Sequence, residues 1–63
     1  MYKNVKAEQA RAGMTNQQVA NVLGLSRRGY ENKLKTGHFT INECRKLCEM
    51  FSCGFDYLFA TTE

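Results

Sequence analysis

The side chains with the most specific chemistry in this 63-residue sequence lie close together, between residues 26 and 35. Arg27 and Arg28 are adjacent, and Asn32 follows at a helical spacing. An arginine guanidinium can donate two parallel hydrogen bonds to O6 and N7 of guanine, and an asparagine amide can pair with N6 and N7 of adenine. A glutamate can accept a hydrogen bond from cytosine. The side chains that could pair with DNA bases in this way are Arg27, Arg28, Glu31 and Asn32.

Two alternatives stay open for these side chains. Glu31 can instead orient a neighbouring arginine, or it can be a solvated charge on an exposed helix face. Arg27 and Arg28 can contact only phosphates, which would position the protein on a duplex without reading its sequence.

The helix that carries these residues has an unfavourable start. Ser26 is expected to cap it, as Thr15 and Thr40 are expected to cap the helices before and after it. The third residue after the cap is a good capping-box partner in those two helices, but here it is Gly29, which destabilises a helix by about 1 kcal/mol relative to alanine. Cations in a first turn are disfavoured by roughly 0.3–1 kcal/mol each. Such rules tend to be broken where function requires it, and an anionic partner such as DNA would reverse the charge penalty.

The same helix is the second of a predicted pair. The stretch Thr15–Gly37 predicts two short helices joined by a tight turn, with a capping box at Thr15 and Gln18 and a chain reversal at Gly24. This pattern is typical of a helix-turn-helix. Phosphate contacts are expected where the first helix begins, since amide side chains there lie beside backbone N–H groups, and from residues that flank the second helix. The predicted phosphate-binding residues are Asn16, Gln17, Lys33, Lys35, His38 and Thr40.

Four stretches of the chain match one known pattern: the opening MYKN..AE.AR.GMT, the run QQVANVLGLSR, Tyr30 with Lys33 and Leu34, and the closing F.YLF. In these residues the sequence resembles the lambda-repressor/Cro-like (Xre-type) helix-turn-helix regulators, especially small prophage-encoded ones. The resemblance covers nearly the whole chain and is most specific in Thr15–Tyr30.

The resemblance implies an all-α, five-helix lambda-repressor-like DNA-binding domain in which helices 2 and 3 form the helix-turn-helix. It further implies a transcriptional regulator that binds a two-fold operator as a homodimer and places helix 3 in the major groove. The base-reading residues there would be Arg27, Arg28, Asn32 and Glu31. Many relatives pair an arginine of helix 1 with a glutamate of helix 3. The matching positions here are Gln9 and Leu34, so we expect an apolar or hydrogen-bonded substitute.

Two helices outside the pair contribute most of the remaining core. The first is expected over Val5–Ala12, with Asn4 as its cap and Gly13 as its stop. The fourth, Ile41–Phe51, has apolar residues at spacings that predict one buried helix face. These residues are Ile41, Cys44, Leu47, Cys48 and Phe51.

A short fifth helix, from about Phe55 to Phe59, carries more apolar surface than one side of it can bury. Leu58 is expected to close the core, and the predicted dimer interface consists of Phe55, Tyr57 and Phe59. An exposed apolar patch usually marks an interaction surface. The alternative function is therefore a protein-interaction module, such as an antitoxin-like partner, that uses these aromatic residues. Residues 61–63 are expected to fray.

Length and composition limit the other possibilities. Sixty-three residues predict one domain, residues 1–63. Residues 1–40 carry seven Lys or Arg and two Glu (+5), whereas residues 41–63 carry two Lys or Arg and four Asp or Glu (−2), which together give the net charge of +3. The basic excess thus accompanies the helix-turn-helix, as a footprint for phosphate would. No apolar stretch reaches the length of a membrane span and no signal-peptide core is present, so the cytoplasm is expected.

No group of residues predicts catalysis, and we expect a protein that is not an enzyme. The sequence has no paired carboxylates, no nucleophile with a plausible base and no phosphate-cradling glycine loop. Cys44, Cys48 and Cys53, with His38 nearby, could in principle hold zinc, but their C-x3-C-x4-C spacing is not that of a zinc knuckle. Buried free cysteine behaves as a small hydrophobe. No metal, cofactor or small-molecule ligand is therefore expected.

Overall fold

The computed structural model describes residues 2–61, which contain five α-helices joined by short loops and no β-strand. Thr62 and Glu63, two of the three residues expected to fray, lie outside it. The described residues span 27 × 22 × 20 Å, and none of their helices is both long and apolar enough to cross a membrane. The helices are α1 Lys3–Arg11, α2 Asn16–Leu23, α3 Arg27–Thr36, α4 Ile41–Phe51 and α5 Phe55–Leu58.

The predicted hydroxyl caps of α2, α3 and α4 are confirmed. The Thr15 hydroxyl accepts a hydrogen bond from the Gln18 N–H at 3.1 Å, and its own N–H donates to Gln18 Oε1 at 2.8 Å, which completes the capping box. Gly24 ends α2 at φ 74°, a left-handed conformation that glycine adopts without steric penalty. The chain then turns directly into the cap of α3 at Ser26.

The predicted start of α1 is wrong by two residues. The helix begins at Lys3, with Tyr2 at the cap position and no side-chain cap hydrogen bond. Asn4 does not cap the helix; its Nδ2 donates instead to the backbone oxygen of Tyr57 at 2.7 Å. This hydrogen bond joins the first helix to the last.

The core lies where all five helices meet. Tyr30, Leu47 and Leu58 are its largest fully buried side chains, and Leu58 closes it as predicted. Tyr30 also brings a hydroxyl group into this apolar core, and the hydroxyl forms a hydrogen bond that links α3 to α1. The buried apolar residues are Val5, Val19, Ala20, Leu23, Tyr30, Leu47 and Leu58.

The buried face predicted for α4 is only partly correct. Leu47 is fully buried, whereas Cys44, Cys48 and Phe51 are half-buried. Ile41 is wrong as a core residue, because 79% of it is exposed. It is the first residue of α4, directly after the Thr40 cap, and it extends past the edge of the packed helices.

Candidate nucleic-acid interface

The position of α3 depends on a buried hydrogen bond to α1. The Tyr30 hydroxyl donates to Gln9 Oε1 at 2.6 Å, and Gln9 Nε2 donates to the backbone oxygen of Met14 at 3.1 Å. Burial raises the pKa of Tyr30 to about 12, since the phenolate would lose its hydration. The hydrogen-bonded substitute expected at Gln9 is confirmed, with Tyr30 as the partner from α3.

The Asn16 side chain, predicted to bind phosphate, joins the first three helices. Its Oδ1 accepts from Gln9 Nε2 and from Lys6 Nζ, each at 2.8 Å. Its Nδ2 donates to Glu31 Oε2 at 3.0 Å. Both ends of the amide are thus occupied inside the molecule, and the side chain fixes the start of α2 against α3.

Glu31 lies between Asn16 and an arginine. Its Oε2 is 3.7 Å from the Nε of Arg27, and 65% of the Arg27 side chain remains exposed. Of the three roles open to Glu31 in the sequence, the geometry favours the orientation of an arginine. The pair is loose, and exposed pairs of this kind contribute about 0–1 kcal/mol, so Arg27 can still turn toward a partner.

The outer surface of α3 presents side chains that the rest of the protein does not engage. Arg28, Asn32 and Lys35 are exposed, and within residues 2–61 their side chains form no hydrogen bond and no ion pair. At 100° per residue they share an arc of about 140° with Arg27 and Glu31. We call these five residues, Arg27, Arg28, Glu31, Asn32 and Lys35, the basic face of α3.

Lys33, which is also predicted to contact phosphate, lies on another side of α3 and is paired within the protein. Its Nζ is 3.1 Å from Glu43 Oε1 and donates to the backbone oxygen of His38, also at 3.1 Å. Burial opposes ionisation of Glu43, but the Thr40 N–H and the Lys33 ammonium outweigh it and lower the pKa of the carboxyl. Lys33 therefore fastens the end of α3 to the start of α4.

The other predicted phosphate-binding residues are exposed. Gln17, at the start of α2, donates through Nε2 to Asn21 Oδ1 at 2.9 Å. His38 lies in the loop between α3 and α4. Thr40 uses its hydroxyl oxygen to accept from the Glu43 N–H at 3.2 Å, which leaves the hydroxyl proton able to donate outward.

The predicted dimer interface consists of Phe55 and Tyr57 of α5 and of Phe59, which directly follows the helix. Phe55 is 58% exposed and its ring lies 5.0 Å from that of half-buried Phe59. Tyr57 is separate from this pair, because its hydroxyl donates to Glu8 Oε2 on α1 at 2.8 Å. That hydrogen bond raises the pKa of Tyr57, and desolvation adds to the effect. Tyr57 is 45% exposed, and the interface of Phe55, Tyr57 and Phe59 stays a prediction.

Phe55 and Phe59 line a cavity of about 540 Å³ at the surface, here called the apolar groove. Cys44 and Cys48 of α4 contribute thiols to it, and burial raises the pKa of both. All three cysteines are free and half-buried, less buried than predicted. Across residues 2–61, no three His, Cys, Asp or Glu side chains come together in a way that could hold a metal ion. The groove is lined by Tyr2, Gly37, Phe39, Ile41, Cys44, Arg45, Cys48, Phe55 and Phe59.

Comparison of the chain with protein-family models, curated proteins and solved structures finds no match.

Proposed function

We propose that this protein is a sequence-specific DNA-binding transcriptional regulator of the Cro or repressor type. In this proposal α2 and α3 act as a helix-turn-helix, and α3 enters the major groove with its N-terminal residues toward the base edges. One observation carries it. Arg28 stands exposed in the first turn of α3, beside the positive end of the helix dipole, with no carboxylate partner in residues 2–61.

The charges around Arg28 support an anionic partner. In the same helix Lys33 has a carboxylate at 3.1 Å and Arg27 has one at 3.7 Å. Arg28 and Lys35 have none within the described chain, and both lie on the basic face of α3. Phosphates supply the missing charge from outside, and binding that neutralises them falls steeply with salt.

The contacts divide into two classes under this proposal. Arg28 and Asn32 read base edges, and Arg27 does so in an orientation that Glu31 sets. Lys35 and Gln17 contact phosphates on either side of the groove, as do the exposed His38 and Thr40. If a dimer neutralises about eight phosphates, the logarithm of the binding constant falls with a slope near −7 in the logarithm of salt concentration.

The proposed regulator binds a two-fold operator as a homodimer. Its two recognition helices would then contact half-sites about 34–36 Å apart, one turn of duplex. Selection of bound sequences from random DNA tests this directly, since it reveals symmetry, spacing and base preference together. Recovery of no enriched sequence would contradict the proposal.

The decisive variant is Arg28→Ala, assayed by fluorescence anisotropy on the selected operator. Loss of a bidentate guanine contact removes about 1–3 kcal/mol, or roughly 5- to 150-fold in affinity, and relaxes preference at one base pair. Thermal unfolding should stay unchanged or rise slightly, because a cation leaves the first turn of α3. The charge-matched control is Lys46→Ala, an exposed residue of α4 outside the basic face. Equal affinity for Arg28→Ala and wild type would rule out base reading by Arg28.

A second candidate function, a protein-interaction module such as an antitoxin-like partner, is favoured by the exposure of Phe55 beside the apolar groove. It predicts the opposite result for the same variant. Arg28→Ala would keep full biological activity, whereas Phe55→Ala would lose it.

A further inference from the structure

The turn that follows α4 has a cysteine at each end. The N–H of Cys53 donates to the backbone oxygen of Cys48 at 3.0 Å, and the N–H of Ser52 donates to that of Glu49 at 3.3 Å. These two bonds form a Schellman motif, which commonly brings the side chains of its first and last residues into contact. Ser52 has φ 53° and is the only non-glycine residue with positive φ in residues 2–61, a conformation that L side chains rarely adopt. The turn therefore fixes how far apart the two cysteines lie.

We propose that Cys48 and Cys53 form an oxidative modification site, at which hydrogen peroxide closes an intramolecular disulfide that locks the turn after α4. Neither cysteine belongs to the basic face of α3, and the site does not depend on the proposed function. Failure of the DNA-binding proposal would leave it intact, and the reverse also holds.

The backbone geometry of the turn permits this bond. With standard bond lengths, the 3.0 Å hydrogen bond keeps the Cα atoms of Cys48 and Cys53 within about 6.9 Å, and the bends along that path shorten the distance further. Disulfides usually join Cα atoms about 4.4–6.8 Å apart. The Cys53 thiol now donates to the backbone oxygen of Phe51 at 3.2 Å, so it must rotate about its Cα–Cβ bond to reach Cys48. Both side chains are half-buried, which leaves part of each accessible to a molecule as small as hydrogen peroxide.

Cys44 is the competing partner for Cys48, one helical turn earlier in α4. The Cβ atoms of residues four apart on a helix lie about 5–6 Å from each other, whereas a disulfide needs about 3.5–4.5 Å. A regular helix cannot close that gap. The geometry therefore pairs Cys48 with Cys53 and leaves Cys44 as a free thiol.

The reaction balances with peroxide as its oxidant. One thiolate attacks a peroxide oxygen, which breaks the O–O bond, gives a sulfenic acid and releases hydroxide. The second thiolate attacks the sulfenic sulfur, which forms the S–S bond and releases the oxygen as a second hydroxide. The hydroxides take up the two thiol protons. The two thiols have then lost two electrons, and the peroxide has become two molecules of water.

The surroundings of the two thiols make closure slow at neutral pH. Burial raises the pKa of both. Ionised Cys53 and Glu49 would raise the pKa of Cys48 further. At Cys53, Glu8 acts in the same direction and Arg11 opposes it. Because the thiolate is the form that reacts, closure should accelerate as the pH rises toward these pKa values, and the site responds to sustained oxidation.

Peroxide treatment of the reduced wild-type protein tests the inference. After the reaction the remaining thiols are alkylated, and the protein is mapped by mass spectrometry. We expect a disulfide between Cys48 and Cys53, with the alkyl label on Cys44 alone. The rate should be the same at every protein concentration, because the reaction is intramolecular. A disulfide that includes Cys44, a bond between two chains, or free thiols that persist at Cys48 and Cys53 would overturn the inference.

Two variants that each remove one half-buried thiol form a matched pair. Cys44→Ser should close as fast as wild type, whereas Cys53→Ser should form no intramolecular disulfide, and circular dichroism checks that both fold. Equal behaviour of the two variants would refute the pairing, and the map of the wild-type protein decides the matter if either variant does not fold.

Thermal unfolding measures whether the bond locks the turn. The oxidised wild-type protein should melt about 5–15 °C above the reduced protein, because a cross-link restricts the unfolded chain. Reduction with dithiothreitol should reverse the shift. Equal melting temperatures of the two forms would refute the locking of the turn.

Discussion

The first turns of α3 and α4 begin with the same kind of side-chain N-cap and then differ. In both, a hydroxyl side chain accepts a hydrogen bond from the third N–H, at 3.0 Å from Gly29 and 3.2 Å from Glu43. In α4 the Glu43 carboxylate returns to the cap N–H at 2.9 Å and also meets Lys33 at 3.1 Å. In α3 the corresponding position has no side chain, and the two residues before it are arginines.

The start of α4 is built for stability within the protein, whereas the start of α3 leaves side chains available to a partner. The start of α4 follows each rule for a stable helix end, with an anion at the positive end of the dipole and a partner for that anion. The start of α3 breaks two of those rules and leaves Arg28 unengaged within residues 2–61. Other parts of α3 hold it in place, through the buried hydrogen bond between Tyr30 and Gln9 and the ion pair between Lys33 and Glu43. The outer turn is thereby left for binding.

The largest effect in this comparison is expected from Tyr30→Phe, which should destabilise the fold. The substitution leaves the buried Gln9 Oε1 without the donor that lies 2.6 Å away, and an orphaned buried acceptor costs about 1–3 kcal/mol. Urea denaturation followed by circular dichroism measures the loss. Arg28→Ala, on the opposite side of α3, is the control and should leave the denaturation midpoint unchanged. If Tyr30→Phe were as stable as wild type, α3 would be held by something other than this bond.

The pH dependence of that effect has a definite sign. Because the pKa of Tyr30 rises to about 12 from 10.0, the unfolded chain ionises first, and the stabilisation is complete below pH 10. It is lost as the pH rises from 10 toward 12. The pKa values of the three thiols and of Tyr57 are raised as well, so the difference between wild type and Tyr30→Phe isolates the contribution of Tyr30. Tyrosinate absorbance should show one late titration step that the variant lacks.

Local chemistry made the helix starts predictable, whereas the polar contacts between helices needed coordinates. The caps at Thr15, Ser26 and Thr40 follow from residues three apart, so the sequence contains all the information they require. Asn16 donates to Glu31, fifteen residues away, and its carbonyl accepts from Gln9. A pattern along one helix cannot report such a contact.

Other contacts carried a weak signal in the sequence. A tyrosine at a buried position needs a partner for its hydroxyl, and Gln9 on α1 was the available polar residue. The ion pair of Lys33 and the exposure of Ile41 were not predictable for one shared reason. Periodicity gives the direction of a side chain around its own helix but not the neighbour that it meets, which is a carboxylate for Lys33 and solvent for Ile41.

A smaller effect is expected from Glu43→Gln at the start of α4. Glutamine keeps the acceptor of the capping box, as Gln18 does in α2, so the change removes chiefly the pairing with Lys33. The loss at neutral pH should be about 1 kcal/mol. Since the pKa of Glu43 is lowered from 4.5, its stabilisation is complete above that pH and disappears as the pH falls through the lower, folded value. Chemical denaturation at a series of pH values should show the two proteins converging in acid. A difference that persists unchanged there would mean that the charge of Glu43 is irrelevant.

The smallest change in stability, and the sharpest test of the comparison, is expected from Gly29→Ala at the start of α3. A β-carbon there would lie 3.2 Å from Ser26 Oγ, a contact that a slight rotation of the hydroxyl relieves, as the larger Gln18 and Glu43 show at the same position of α2 and α4. Alanine should therefore stabilise the fold by about 0.5 kcal/mol. If Gly29 serves to let the backbone of α3 approach the duplex closely, DNA affinity should nevertheless fall, although the residue lies about 60° beyond the basic face of α3. The control is Asn42→Ala in the first turn of α4, which raises helix propensity similarly and should leave anisotropy titrations with DNA unchanged. If Gly29→Ala gained stability and lost no affinity, the defect in α3 would have no function, and the contrast between the two helix starts would carry no information about DNA.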